Sequence, residues 1–317
     1  MYKISVIVIM NKSNKDKFKT LKSLVNQTLK DIEIICIANL IENEEELIEY
    51  AKEHNNICIA KDVNETISKV TGEFTVITNS NVFFEKNWAQ KVYDYAKIDN
   101  EDMIVCDLDV EDYQENKIKS YTFENIEKDR DRIVTLNWNL CNLLFKTEKI
   151  RNIKLKCNNK YNELLFILTA LTECEKIGYA QEVKSYLYAR KSDLRDIELK
   201  NVEELKDVLK EAKEIYKAKN KYNEKAKNRL SAVAFSELGV ETLVKVNDKS
   251  ELNADMKELI KNTINYLDIN FFEWRNNPIL KSAFMKKENS YIWYANKMYR
   301  YGYIELYLKI YKFINKK

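Results

Sequence analysis

Three stretches decide the fold: Ile4-Ser5-Val6-Ile7-Val8-Ile9, Leu21-Lys22-Ser23-Leu24-Val25-Asn26-Gln27-Thr28 and Ile32-Glu33-Ile34-Ile35-Cys36-Ile37. The first and third are short, continuous, β-branched runs, the pattern of strands buried on both faces. Between them, Lys15 to Leu29 sets Phe18, Leu21, Leu24 and Val25 at helical spacing, which predicts an amphipathic helix. The alternation continues outward with a helix over Glu44 to His54, a strand Ile57-Cys58-Ile59-Ala60, and a helix over Val63 to Val70. A strand Phe74-Thr75-Val76-Ile77-Thr78, a helix over Trp88 to Lys97 and a strand Met103-Ile104-Val105-Cys106 follow. Strands and helices in alternation with short links imply an α/β fold, a parallel sheet covered on both faces. Beyond about residue 198 the strand signal fades. Val202 to Lys227, Arg229 to Val246, Leu252 to Asp268 and Tyr291 to Ile314 read as helices, with Pro278, the only proline, at a break. The composition shift predicts two domains, 1–197 and 198–317.

Composition narrows the function. Lys+Arg 53 against Asp+Glu 50 leaves a net charge of +3, with both signs interspersed, which argues against a nucleic-acid partner. Six cysteines are scattered without a CxxC pair, and His54, the one histidine, lies in a polar run read as a surface helix end. A zinc site is therefore not expected, and the thiols read as buried and free in a reducing compartment. The opening apolar run Ile4 to Met10 is too short to span a bilayer and lacks a signal-peptide pattern. A cytoplasmic location is expected. Only 4 glycines occur, although loops that cradle phosphate usually need them.

With Leu21 to Thr28 between its two strands, the chain resembles family-2 glycosyltransferases of the GT-A fold. In that family a helix carries Leu-x-Ser-Leu-x-x-Gln-Thr and the next strand ends in Asp-Asp. Thr71-Gly72-Glu73-Phe74 is similar to the family's Thr-Gly-Glu-Tyr. Asn142-Leu143-Leu144-Phe145-Lys146 resembles the start of its acceptor segment, and Tyr186-Leu187-Tyr188-Ala189-Arg190 its closing run. The resemblance covers about residues 1–195. It implies a GT-A-like, mainly parallel sheet flanked by helices, joined to an α-helical C-terminal region.

The same resemblance implies a reaction, transfer of a sugar from a nucleotide diphosphate to a hydroxyl. This needs a grip on the nucleoside, neutralisation of the diphosphate and a carboxylate base. At the Asp-Asp position stand Ala38 and Asn39, followed by Leu40-Ile41. The turn after the first strand offers Lys12 as a point charge for phosphate. The Ala-Arg-Asn-x-Gly segment reads Asp62-Val63-Asn64-Glu65-Thr66, keeping Asn64 alone. The metal-binding Asp-x-Asp reads Asn79-Ser80-Asn81. Mg²⁺ or Mn²⁺ would be expected of the family, but hard cations need negative oxygens, so no metal cofactor is expected here. Glu163, from Asn162-Glu163, falls at the position of the catalytic base; as an acid at a helix start it also complements the macrodipole. Asp107-Leu108-Asp109 spells the metal motif by letters, yet it follows the fifth strand and reads as a surface turn.

The expected function is a catalytically degenerate glycosyltransferase-like protein of bacterial surface-glycan or glycoprotein assembly, partner or scaffold to an active enzyme. Two alternatives stay open: a metal-independent inverting transferase with Glu163 as base, and a glycan- or protein-binding module using the former acceptor cleft. Expected partners are an active glycosyltransferase or a second copy, and a glycan or nucleotide sugar. The aromatic and basic run Tyr291-Ile292-Trp293-Tyr294-Ala295-Asn296-Lys297-Met298-Tyr299-Arg300-Tyr301, continuing to Tyr303, Tyr307 and Tyr311, reads as a packing face. An oligomer contact or peripheral membrane contact is its alternative use.

Overall fold

The computed structural model describes residues 2–10, 18–38, 44–112, 114, 116–122, 139–156, 161–189, 199–249 and 254–315. They cluster into two compact units. The first takes in those of Met1–Lys128, Asn137–Cys157 and Phe166–Leu194; the second takes in those of Asn158–Leu165 and Arg195–Lys317.

In the first unit the β-branched runs form β1 (Ile4–Ile9), β2 (Ile32–Ile37), β3 (Ile57–Ala60) and β4 (Phe74–Asn79), with helices α1 (Lys19–Val25), α2 (Glu44–Lys52) and α3 (Val63–Lys69) between them. β1 lies parallel between β2 and β4, and β3 pairs parallel to β2. Then come β5 (Val82–Phe84), α4 (Trp88–Ile98), β6 (Met103–Glu111), β7 (Lys117–Tyr121), β8 (Leu143–Lys146), α5 (Thr147–Ile150), α6 (Asn162–Ala170), whose first turn clusters with the second unit, and β9 (Ile177–Tyr188). The sheet order is β3-β2-β1-β4-β8-β6-β9-β5, with β7 on β6. The GT-A-like class read from the sequence is the one observed, with a mixed sheet. β8 runs antiparallel between β4 and β6, whereas β6 and β9 run parallel.

The surface-turn reading of Asp107-Leu108-Asp109 is overturned. All three residues lie inside β6 and are buried. Neighbouring strands supply what the carboxylates need. Tyr179 Oη donates to Asp107 at 2.6 Å, while Asp109 accepts from Ser120 and faces Lys117 and Lys184 at 3.2 and 3.3 Å. The strand next to them, β9, carries a bulge at this level, with Glu182 in the left-handed region at φ 59°.

Two motif residues owe their identity to close packing. A Cβ on Gly72 would sit 2.5 Å from the backbone nitrogen of Ser5, so only glycine lets this turn approach β1. The turn is held by Glu33, which accepts from Thr71 N at 2.7 Å, Gly72 N at 3.1 Å and Ser5 Oγ at 2.5 Å. Glu73 accepts from Tyr93 Oη at 2.9 Å and Lys97 Nζ at 2.8 Å, which fastens α4 to the sheet.

Three carboxyls in this unit are held below their ordinary range. Burial works against the charged form in each, and donors outweigh it: Lys97 and Tyr93 at Glu73, the Lys176 and Glu175 amides with Lys149 at Asp102, and Ser120, Lys117 and Lys184 at Asp109. A depressed folded-state pKa stabilises the fold above the unfolded value and loses that contribution as pH falls through the folded one. The thermal midpoint is therefore expected to be level above about pH 5 and to drop steadily below about pH 4. Thermal melts across that range check this, and a flat profile down to about pH 3 would contradict it.

The second unit is helical: α7 (Leu199–Ala218), α8 (Glu224–Ala234), a π-helical stretch Phe235–Thr242, α9 (Leu243–Lys249), α10 (Ala254–Asn270), α11 (Ala283–Glu288), α12 (Ser290–Arg300) and α13 (Ile304–Asn315). Two helices read as continuous are broken. Asn220 turns left-handed at φ 54° and Asn223 caps α8 by accepting from Ala226 N at 3.0 Å, so Val202 to Lys227 is two helices. Gly302, at φ 80°, separates α12 from α13. The core stacks Phe235 on Trp274 with ring centroids 5.0 Å apart.

Candidate functional site

Parallel strands bring their carboxyl ends to one edge, where open α/β sheets bind ligands. Ile9 is in register with Ile37 and with Asn79, and Ile37 with Ala60. Ala38 and the Asn79-Ser80-Asn81 turn thus face the same edge, about 10 Å apart across two strand spacings. Met10 and Ala38 are buried members of the apolar core, so the core extends to the strand ends where a polar nucleoside grip was looked for. Val63, at the lost arginine position, is buried as well.

The turn itself is tightly wired. Asn79 Oδ1 accepts from Asn81 N at 2.9 Å, an Asx turn, and Ser80 N donates to Ile9 O at 3.1 Å. Asn81 O accepts from Tyr188 N at 2.9 Å, tying the turn to β9. Asn81 Oδ1 is buried without a hydrogen-bond partner. One side-chain oxygen is thus spent inside the turn and the other is a single neutral donor. Among the described residues no group of three or more His, Cys, Asp or Glu converges to hold a metal. A divalent hard cation is attracted chiefly by charge, and this donor set does not fit Mg²⁺ or Mn²⁺.

Behind the turn lies the Leu-x-Ser-Leu-x-x-Gln-Thr helix. Gln27 is 1% exposed; its Nε2 donates to Ser23 O at 2.9 Å and Glu85 O at 2.7 Å, while its Oε1 accepts from Ala89 N at 2.8 Å. It stitches α1 to the end of β5 and caps α4, whose own N-cap residue Asn87 makes no side-chain capping bond. The motif is scaffolding for the segment that follows the Asn79 turn.

Of the other candidates, Lys12 and Asn39 lie outside the described residues. Asn64 is engaged within the fold: its Nδ2 donates to Leu155 O at 3.0 Å and its Oδ1 accepts from Leu155 N at 2.7 Å, clamping the segment after α5 to α3. Glu163 stands in the first turn of α6, in the stretch that clusters with the second unit. Cys36, Cys58, Cys106 and Cys174 are thiols outside any disulfide. Burial pushes the Cys36, Cys106 and Cys174 thiols up to about 12, which makes them poor nucleophiles. Cys58 is exposed, against the expectation of burial, and Cys157 lies outside the described residues. His54 lies two residues beyond the end of α2, half-buried, and stacks on Tyr50 with ring centroids 4.4 Å apart.

Sequence reasoning missed one feature. Lys19, in α1, donates to Tyr188 Oη at 2.9 Å and lies over the Tyr188 ring at 4.3 Å, while Tyr186 Oη donates to Glu85 at 2.8 Å. Burial and the Glu85 carboxylate raise the Tyr186 hydroxyl well above its usual range. The aromatic spacing of the Tyr186-Leu187-Tyr188 run was visible, but the partners lie about a hundred or more residues away.

Comparison with known proteins agrees with this geometry. Residues 5–152 match the family model described as Glycosyl transferase family 2. No curated protein matches the sequence. Among solved structures, S. aureus TarS 1-349 superposes with a TM-score of 0.64 at 12% identity, over 99% of this chain and 91% of that one. The same protein in complex with UDP-GlcNAc gives 0.67 at 14% identity, over 95% and 92%. At such identities the likeness is one of fold. The chain thus resembles the family-2 glycosyltransferases, with their GT-A-like sheet and a helical C-terminal region.

Proposed function

We propose that this chain is a glycosyltransferase-like protein that transfers no sugar itself and serves an active glycosyltransferase as partner or scaffold in bacterial surface-glycan or glycoprotein assembly. The observation that carries this reading is the Asn79-Ser80-Asn81 turn, which has amides where two carboxylates would be needed and has one amide oxygen committed to its own backbone. The retained scaffolding supports the same reading: Gln27 ties α1 to the segment after β5, and Gly72 and Glu73 fasten the opposite, amino-terminal end of β4, so these motif residues serve the fold whether or not a donor is bound.

Calorimetric titration with UDP-GlcNAc, the ligand named with TarS, tests the proposal with and without Mn²⁺. The expected result is no binding at about 1 mM ligand, an interaction weaker than about 4 kcal/mol. Saturable binding with sugar transfer to any acceptor would sink it. Glu163→Gln provides the companion test. As a helix-start acid, Glu163 contributes about 0.3–1 kcal/mol of stability, and its loss is expected to leave biological function intact. If the purified protein transfers sugar and this change slows it by about two to four orders of magnitude, Glu163 is a general base and the active-transferase alternative stands.

A further inference from the structure

We propose that the outer face of α13 docks the chain onto an anionic phospholipid bilayer. The helix uses two faces. One buries Tyr307 and Leu308 in the second unit, where Tyr307 meets Tyr299 and Tyr311 with ring centroids 5.5 and 6.1 Å apart. These inward rings are the packing face read from the sequence. The face beside it is also apolar. Tyr303 is 57% exposed, Leu306 49%, Ile310 43%, Phe313 73% and Ile314 64%. At 100° per residue the four within α13 fall within an arc of about 100°, and Tyr303 immediately precedes the helix. A water-facing helix normally carries polar residues there, so an exposed stripe of this kind signals an interaction site.

Charge selects the occupant. Residues 286–315 hold six Lys or Arg (Lys286, Lys287, Lys297, Arg300, Lys309 and Lys312) against Glu288 and Glu305, net +4, more than the +3 of the whole chain. The rest of the protein is therefore close to neutral. Exposed Lys309 borders the apolar stripe directly. A second copy would bring a like-charged segment against this one, which disfavours self-pairing, whereas an anionic bilayer attracts this cationic segment and takes up the apolar side chains. Tyrosines at the rim suit the headgroup level, where a ring is buried and its hydroxyl stays wet. Among the described residues no helix is long and apolar enough to cross a membrane, so the geometry is that of a helix lying in the interface.

Vesicle sedimentation tests this on the full chain. Vesicles made of equal parts phosphatidylglycerol and phosphatidylcholine should bind it, and phosphatidylcholine vesicles should not. Ile310→Ser with Phe313→Ser should weaken binding about a hundredfold, roughly tenfold for each side chain withdrawn from the bilayer. Both positions are exposed, so the thermal midpoint should not move. Lys297→Glu with Lys309→Glu should also abolish binding, as should about 0.5 M NaCl, which screens surface charge. Equal binding to neutral vesicles would overturn the electrostatic choice of partner. No binding to either vesicle overturns the proposal, and if sedimentation velocity then shows a dimer lost in Ile310→Ser with Phe313→Ser, the face is a self-association surface instead.

Discussion

The double variant Asn79→Asp with Asn81→Asp is expected to bind Mn²⁺ in the presence of UDP, at least about a hundredfold more tightly than the parent, because two anionic oxygens replace two neutral ones. The turn should survive. Asn79 Oδ1 accepts from Asn81 N at 2.9 Å, and an aspartate oxygen accepts the same bond. The second position behaves differently. Asn81 Oδ1 is buried and has no hydrogen-bond partner, so a carboxylate oxygen there is poorly solvated. In chelator the variant should therefore be less stable than the parent by about 1–3 kcal/mol, the cost of an uncompensated buried polar group. Adding Mn²⁺ should reverse the loss, by about 2.7 kcal/mol when the metal stands at a hundred times its dissociation constant. Thermal melts with chelator and with Mn²⁺ read both halves of the expectation. If the parent binds Mn²⁺ at this turn, or if the variant neither loses stability nor gains metal, the assignment of the turn as a former metal site fails.

Gln27→Ala should lower unfolding free energy by about 2–4 kcal/mol, with the denaturant midpoint shifting and the slope unchanged. Three hydrogen bonds vanish at a buried site, each worth about 1 kcal/mol, and the Glu85 carbonyl and Ala89 amide lose a partner. The damage should be local as well as global. Gln27 caps α4 and fixes the end of β5, so amide exchange should rise around Glu85 to Ala89 before it rises in β1. Gln27→Glu keeps the acceptor for Ala89 N but turns carboxylate oxygens toward the carbonyls of Ser23 and Glu85, so it should destabilise too. A loss below about 1 kcal/mol in Gln27→Ala would mean that the motif has a use other than scaffolding.

Legibility in the sequence followed the range of the interaction. β1 to β4 and the helices between them could be read because their burial pattern repeats every two or every three to four residues, within one element. β5 escaped notice because three residues show no period, and β8, at four, little more. Asp107 and Asp109 were misread because carboxylates look like a turn until Tyr179, Ser120, Lys117 and Lys184 are known to face them. Asn220 and Gly302 end helices through left-handed backbone, which a side-chain pattern does not display.

The candidate site divides along the same line. That Ala38, Asn79 and Asn81 carry no charge is a matter of covalent identity, and it weakened any metal or nucleoside grip before a fold was known. Where the remaining polar groups point was decided by tertiary structure alone. Asn64, a retained motif residue, serves Leu155, 91 positions away, and Gln27 serves Glu85 and Ala89, 58 and 62 positions away. A buried amide bonds whichever backbone group the packed chain brings within about 3 Å, and no local period encodes that. The two faces of α13 make the same point at the surface: composition showed an aromatic, basic helix, and only packing determined which side chains were used inside and which were left exposed.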